Sequence, residues 1–177
     1  MLKKLILGSF CLITLTIQAQ DYEPKSQFAK DFLPVWLSSV EHTKEVANAM
    51  PAELYQYQPN DSSKTFAGQI GHIAFTTLYL ANAFAVDIQS PYEDPETKDM
   101  TKNELITYLS SQLDKATQAI CAMTDEQVND TVKVFGGKTA KRYVAVMFVQ
   151  DHLANHRAKA NLYIRMNDIK PPSYRFF

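Results

Sequence analysis

The sequence predicts an all-α protein: a four-helix bundle with a long crossover between helices two and three, and a short extended segment or hairpin before helix four. Three observations predict it. Four long stretches repeat apolar residues every three or four positions, the period of a helix with one buried face. Glycine is scarce, 5 residues in 177, which disfavours a fold of many tight turns. The connection from Asp87 to Met100 holds Pro91 and Pro95 and no helical pattern. Its length suits an overhand crossover rather than a tight hairpin.

The first helix is expected from about Ser26 to Met50. Phe28, Phe32, Val35 or Trp36, Val40, Thr43, Ala47 and Met50 form its stripe. A helix interior needs the amide hydrogen that proline lacks. Pro34 is therefore expected in the first turn, or the start moves to about Leu33. Met50-Pro51 ends the helix, because a residue before proline avoids the helical region. The second helix starts after Thr65, a suitable N-cap, and runs to about Ala85. Thr101 and Glu104 make a capping box for the third, whose stripe reaches Ile120. Thr131 to Phe135 alternates in polarity, and Gly136-Gly137 suits a turn. The fourth helix is expected from near Thr139 to about Asn167, where Pro171-Pro172 forbid continuation.

The first twenty residues read differently. Met1-Leu2-Lys3-Lys4 is basic, Leu5 to Ile17 is almost wholly apolar, and Gln18-Ala19-Gln20 restores polarity around a small residue. This is the layout of a secretory signal peptide, with cleavage expected after Ala19. The division expected is therefore a signal peptide over residues 1–19 and one domain over 20–177, exported to the periplasm or the exterior. The apolar run is shorter than the ~20 residues that span a bilayer, and no transmembrane helix is expected. Cleavage removes Cys11 and leaves Cys121 without a disulfide partner. Cys121 reads as a small buried hydrophobe.

Composition is that of a globular protein, 46% apolar and 21% charged, with a net charge of −1. No basic excess is present to neutralise phosphates, so nucleic acid is not an expected partner.

Four histidines carry the chemical information: His42, His72, His152 and His156. At 100° per residue, His152 and His156 share the apolar side of the last helix with Ala145 and Tyr163. His72 lies in register with Ile70, Ile73, Thr76 and Tyr79. Buried imidazoles are costly unless something satisfies them. A tyrosine or a backbone carbonyl can do so. So can a divalent metal: a pair at i and i+4 with a third ring from a facing helix leaves a coordination position open. The pair here reads His152-Leu153-Ala154-Asn155-His156, without the glutamate of a zincin-type H-E-x-x-H. His42, beside Glu41 at the edge of the first stripe, reads as a surface or boundary residue. Tyr79, Asn155 and Tyr163 are candidate outer donors by helical proximity.

Several stretches together resemble the DinB-like (damage-inducible B) superfamily of metal-binding four-helix bundles. They are Met50-Pro51-Ala52-Glu53 followed by Pro59; Thr65-Phe66-Ala67-Gly68-Gln69-Ile70-Gly71-His72-Ile73-Ala74; and His152-Leu153-Ala154-Asn155-His156-Arg157 continuing through Asn161 to Met166 and Pro171-Pro172-Ser173-Tyr174. The resemblance implies a divalent metal, zinc or nickel, on His72, His152 and His156. It also implies kinship with metal-dependent thiol S-transferases and isomerases, and a homodimer. Two departures touch the surroundings of the site. An acidic residue is usual in the first turn of the second helix, where this chain has Gly68 and Gln69. Arg-Gly-Gln is usual after the second histidine of the pair, where it has Arg157-Ala158-Lys159. Three functions are open at this point: a metal-dependent transferase or hydrolase acting on a small molecule, a non-catalytic metal- or ligand-binding envelope protein, and a bundle that works through its surface. In the last, Tyr174, Phe176 and Phe177 would dock on the bundle or on a partner subunit.

Overall fold

The structure, a computed structural model, describes residues 21–176. The signal-peptide reading falls on residues outside that range. The chain is mostly helical. Helix α1 spans Gln27–Ala49, α2 Phe66–Ala85 and α3 Lys102–Ala122. A short α4, Asp125–Val128, precedes strands β1, Thr131–Lys133, and β2, Thr139–Lys141, and helix α5, Arg142–Met166, completes the order. Helix α2 packs against α3 and α5, and α1 packs against the same two.

The helix starts follow their caps. Ser26 Oγ accepts from the Ala29 amide, and Thr65 Oγ1 accepts from Gly68. At α3, Thr101 Oγ1 accepts from the Glu104 amide while the Glu104 carboxylate accepts from the Thr101 amide, a closed capping box.

Pro34 corrects one expectation. It sits inside α1, not in its first turn. Both Pro34 and Lys30, whose carbonyl loses its donor, are exposed. A carbonyl at an exposed position can be hydrated instead, so the helix runs on through Pro34. The last helix also starts later than expected, because Thr139–Lys141 pairs as a strand first. Thr131 faces Lys141, Val132 faces Ala140 and Lys133 faces Thr139. Gly136 and Gly137, both at positive φ (69° and 71°), close this hairpin, a conformation costly for side-chain-bearing residues.

The core is built from the predicted stripes. Trp36, Phe66, Ile70, Leu105, Leu109, Leu113, Leu153 and Ile164 are among its fully buried members, each contributing about 1.5–3 kcal/mol by burial. Trp36 Nε1 donates to Thr117 Oγ1 at 2.8 Å, tying α1 to α3 without an orphan indole. Cys121 is buried as expected, and burial pushes its thiol pKa up.

Two contacts fix the crossover that leaves α2. At its start, buried Arg142 donates through Nη1 to the Phe84 carbonyl and through Nη2 to Asp87. Further on, the chain lies against α2 at Gly71, where an added Cβ would stand 2.5 Å from Thr97 Cγ2 and 3.4 Å from Pro95 Cγ. Glycine at 71 is what lets the crossover come this close. The C-terminal segment folds back on α1. Arg175 pairs with Glu45, the Ser38 hydroxyl donates to the Phe176 carbonyl, and Tyr174 stands edge-on to His42. No helix among the described residues is long and apolar enough to cross a membrane.

Candidate metal centre

Helix α2 presents His72, and α5 presents His152 and His156 one turn apart. The packing of α2 on α5 brings the three rings together. Ring centroids are 4.3 Å apart for His72 and His156, 4.7 Å for His152 and His156, and 5.4 Å for His72 and His152. One nitrogen from each ring lies within 4.8 Å of the other two. Two nitrogens sharing a tetrahedral zinc at ~2.1 Å stand ~3.4 Å apart, so a small inward closure suffices. The donor set, three imidazoles with no carboxylate or thiolate among them, could hold a divalent transition-metal ion.

Each ring is braced at Nδ1. His72 Nδ1–H donates to Asp94 Oδ2 at 2.8 Å, and His156 Nδ1–H donates to Gln69 Oε1 at 2.8 Å. His152 Nδ1 makes a longer contact, 3.4 Å, with Thr76 Oγ1, whose own proton goes to the His72 carbonyl. Engagement of Nδ1 leaves Nε2 to face the centre and fixes the tautomer that can bind a metal. All three braces come from α2 or from the crossover that follows it.

The electrostatics keep His152 and His156 uncharged. Burial, followed by the nearness of His72 and His152, pushes the pKa of His156 down to about 3. Burial also lowers that of His152, with His72 adding to the effect. Neutral imidazole is the ligand form. Asp94 stays ionised: burial favours its neutral form, but hydrogen bonds from Lys64 and His72 outweigh that and hold its pKa below the usual value. Its second oxygen, Oδ1, is buried without a partner.

The other predicted residues fall in three places. Tyr163 is buried and joins the site indirectly, its hydroxyl accepting from Gln69 Nε2 at 3.3 Å. Tyr79 packs with Phe75 and Tyr92 in an aromatic cluster on the crossover side. Asn155 is exposed and bonds none of the three rings, because it lies about 100° round the helix from His156. His42 corrects the surface reading. It is 3% exposed, covered by Tyr174, and stands apart from the triad. Asp94 and Thr76 are the braces that sequence reasoning missed. The signal for Asp94 was an acidic Glu93-Asp94-Pro95-Glu96 run in a segment without periodicity. Gln69 was noticed only as a departure from the family pattern.

A groove opens beside the centre, lined by His156, Gln69, Tyr163, Lys159, Leu162 and Met166 among others. On the other side, Phe148 stands 6.1 Å from His152, and Phe135 packs on Phe148.

The comparisons agree with this architecture. The family model of the DinB superfamily matches residues 39–160, which includes all three histidines. The Bacillus subtilis protein YjoA, itself uncharacterized, is 23% identical over 144 residues, covering 79% of this chain and 92% of that protein. The crystal structure of YjoA, a DinB-like protein, superposes with a TM-score of 0.66 at 22% identity, covering 85% of this chain and 98% of that one. A DinB-like protein from Bacillus cereus ATCC 10987 superposes with a TM-score of 0.72 at 14% identity, covering 82% and 97%. With the family model spanning most of the helical domain, and the fold shared along nearly the full length of both structures, this chain belongs to the DinB superfamily.

Proposed function

We propose that this protein is an exported four-helix-bundle protein that binds one divalent metal ion and acts as a metal-dependent transferase or hydrolase on a small molecule. His72, His152 and His156 would hold the ion, zinc or nickel. The observation that carries the reading is the convergence of three imidazoles, each braced from behind, beside an accessible groove. Structural zinc sites use four protein ligands, whereas three leave room for a substrate. When bound, such an ion supplies Lewis acidity towards an oxygen or sulfur atom.

The chain's own residues do the rest. Asp94, Gln69 and Thr76 fix the orientation of the ligand rings, so little reorganisation accompanies binding. Lys159 places a positive charge at the groove, and Leu162 and Met166 give it an apolar side. That combination favours a substrate with an anionic group and an apolar part. The pattern of residues 1–19 supports export. Amino-terminal sequencing of the protein from its host should begin at Gln20.

Activity is tested with panels of thiol-transfer, ester and amide substrates on zinc- and nickel-loaded protein. Turnover that disappears on chelation and in His72→Ala is expected. Stoichiometric metal with no turnover on any panel would leave the non-catalytic, metal-binding reading.

A further inference from the structure

Arg157 follows His156 but points about 100° away round α5, towards α1. Its guanidinium is buried. Nη1 donates to the Ser39 carbonyl at 2.9 Å, to Ser39 Oγ at 2.6 Å and to Thr43 Oγ1 at 3.3 Å. Among the described residues it pairs with no carboxylate, and Nε and Nη2 bond nothing. The acid in this region, Glu45, is held at both oxygens by Arg175. Beside Arg157 lies His42, whose Nε2 is buried and has no partner. The two side chains line a cavity of about 130 Å³ between α1, α5 and the C-terminal segment, with Ser38, Gln150 and Tyr174 also on its wall.

A buried guanidinium without a counter-charge is unfavourable, and so is a buried nitrogen without a partner. Both residues line one small space. At ~30 Å³ per water, that space holds about four waters or one compact anion. We propose that this cavity is a binding site for a small oxyanion, a phosphate or carboxylate group. The free edge of Arg157 receives it, His42 Nε2–H donates to it, and Tyr174 covers it. The planar fork of arginine matches two oxygens of such a group. The Gln150 amide supplies a neutral donor. The site is separate from the three-His centre and does not depend on a metal there.

The test is calorimetric titration of the full protein with inorganic phosphate and, separately, with acetate, at fixed ionic strength. Saturable binding is expected for at least one of them, weakened tenfold or more in His42→Leu and in Arg157→Lys. The tighter arm identifies the tetrahedral or the planar anion as the ligand. Binding should be unchanged in His152→Ala, which separates this cavity from any ion at the histidine centre. If Arg157→Lys fails to fold, His42→Leu with the His152→Ala control decides. Absence of saturable binding by either anion, equal binding in His42→Leu and the unmodified protein, or its loss in His152→Ala would overturn the proposal.

Discussion

His72 on α2 donates its Nδ1 proton to Asp94, a residue 22 positions further on in a segment with no helical structure. The crossover therefore carries a brace for the three-histidine cluster as well as a connection between helices. Lys64 binds the same oxygen of Asp94 at 2.8 Å, so the carboxylate is itself held from a second side.

Asp94→Ala should lower zinc affinity by roughly 10–100-fold, the usual effect of losing a carboxylate behind a ligating histidine. Competition with a chromophoric chelator measures it. An affinity equal to that of the unmodified protein would show that His72 is oriented by packing alone.

Gly71→Ala tests how Asp94 reaches its place. The new methyl would meet Thr97, which is itself buried. Overpacking of this kind costs about 1–3 kcal/mol, against a helix-propensity gain of up to ~1 kcal/mol. A net loss of roughly 1–2 kcal/mol is expected in urea unfolding. Zinc affinity should fall with it, as the crossover is pushed away. Higher stability with unchanged affinity would contradict the account.

The helices and the facing of the histidine pair were legible from sequence because both rest on local periodicity. A stripe at three- and four-residue steps specifies which side of a helix is buried, and His152 and His156 fall on that side by counting alone. Asp94 was not legible. Its position depends on Gly71 allowing a non-periodic segment to lie on α2, a long-range contact with no sequence signature. His42 was misread for a similar reason. Its helical position is marginal, and Arg157 from α5 and Tyr174 from the far end of the chain come to lie beside it. Pro34 shows a local rule overridden by solvent, since the carbonyl it leaves without a donor lies on an exposed turn.

Acid should destabilise the metal-free protein well before its carboxylates titrate. In an unfolded chain histidine titrates near pH ~6.5, whereas His156 titrates at about 3 in the fold and His152 is also lowered. Between those values the unfolded chain binds protons that the folded chain does not. Stability therefore rises with pH across this window and is lost as pH falls through it. Asp94, also lowered, adds a loss only below its ordinary value of 3.8. Urea midpoints of metal-free protein should drop between pH ~7 and pH ~5, and less steeply in His156→Gln. A flat profile would contradict the neutral, buried rings.

Gln69→Glu puts a carboxylate behind His156 in place of an amide. A charged acceptor raises the basicity of the ligating imidazole, and the Tyr163 hydroxyl can donate to it. Zinc should bind more tightly than in the unmodified protein, and Gln69→Leu should bind it less tightly. Calorimetry on both variants checks the order, and the reverse order would show that the amide is not bracing the ring.

Elemental analysis of the protein, purified without an affinity histidine tag and dialysed against zinc or nickel, tests the central claim most directly. One tightly held divalent ion per chain is expected, and its loss in each of His72→Ala, His152→Ala and His156→Ala, with His42→Leu retaining it. A chain that takes up no ion, or one that keeps its ion in all three alanine variants, would contradict the assignment of these rings to a shared metal.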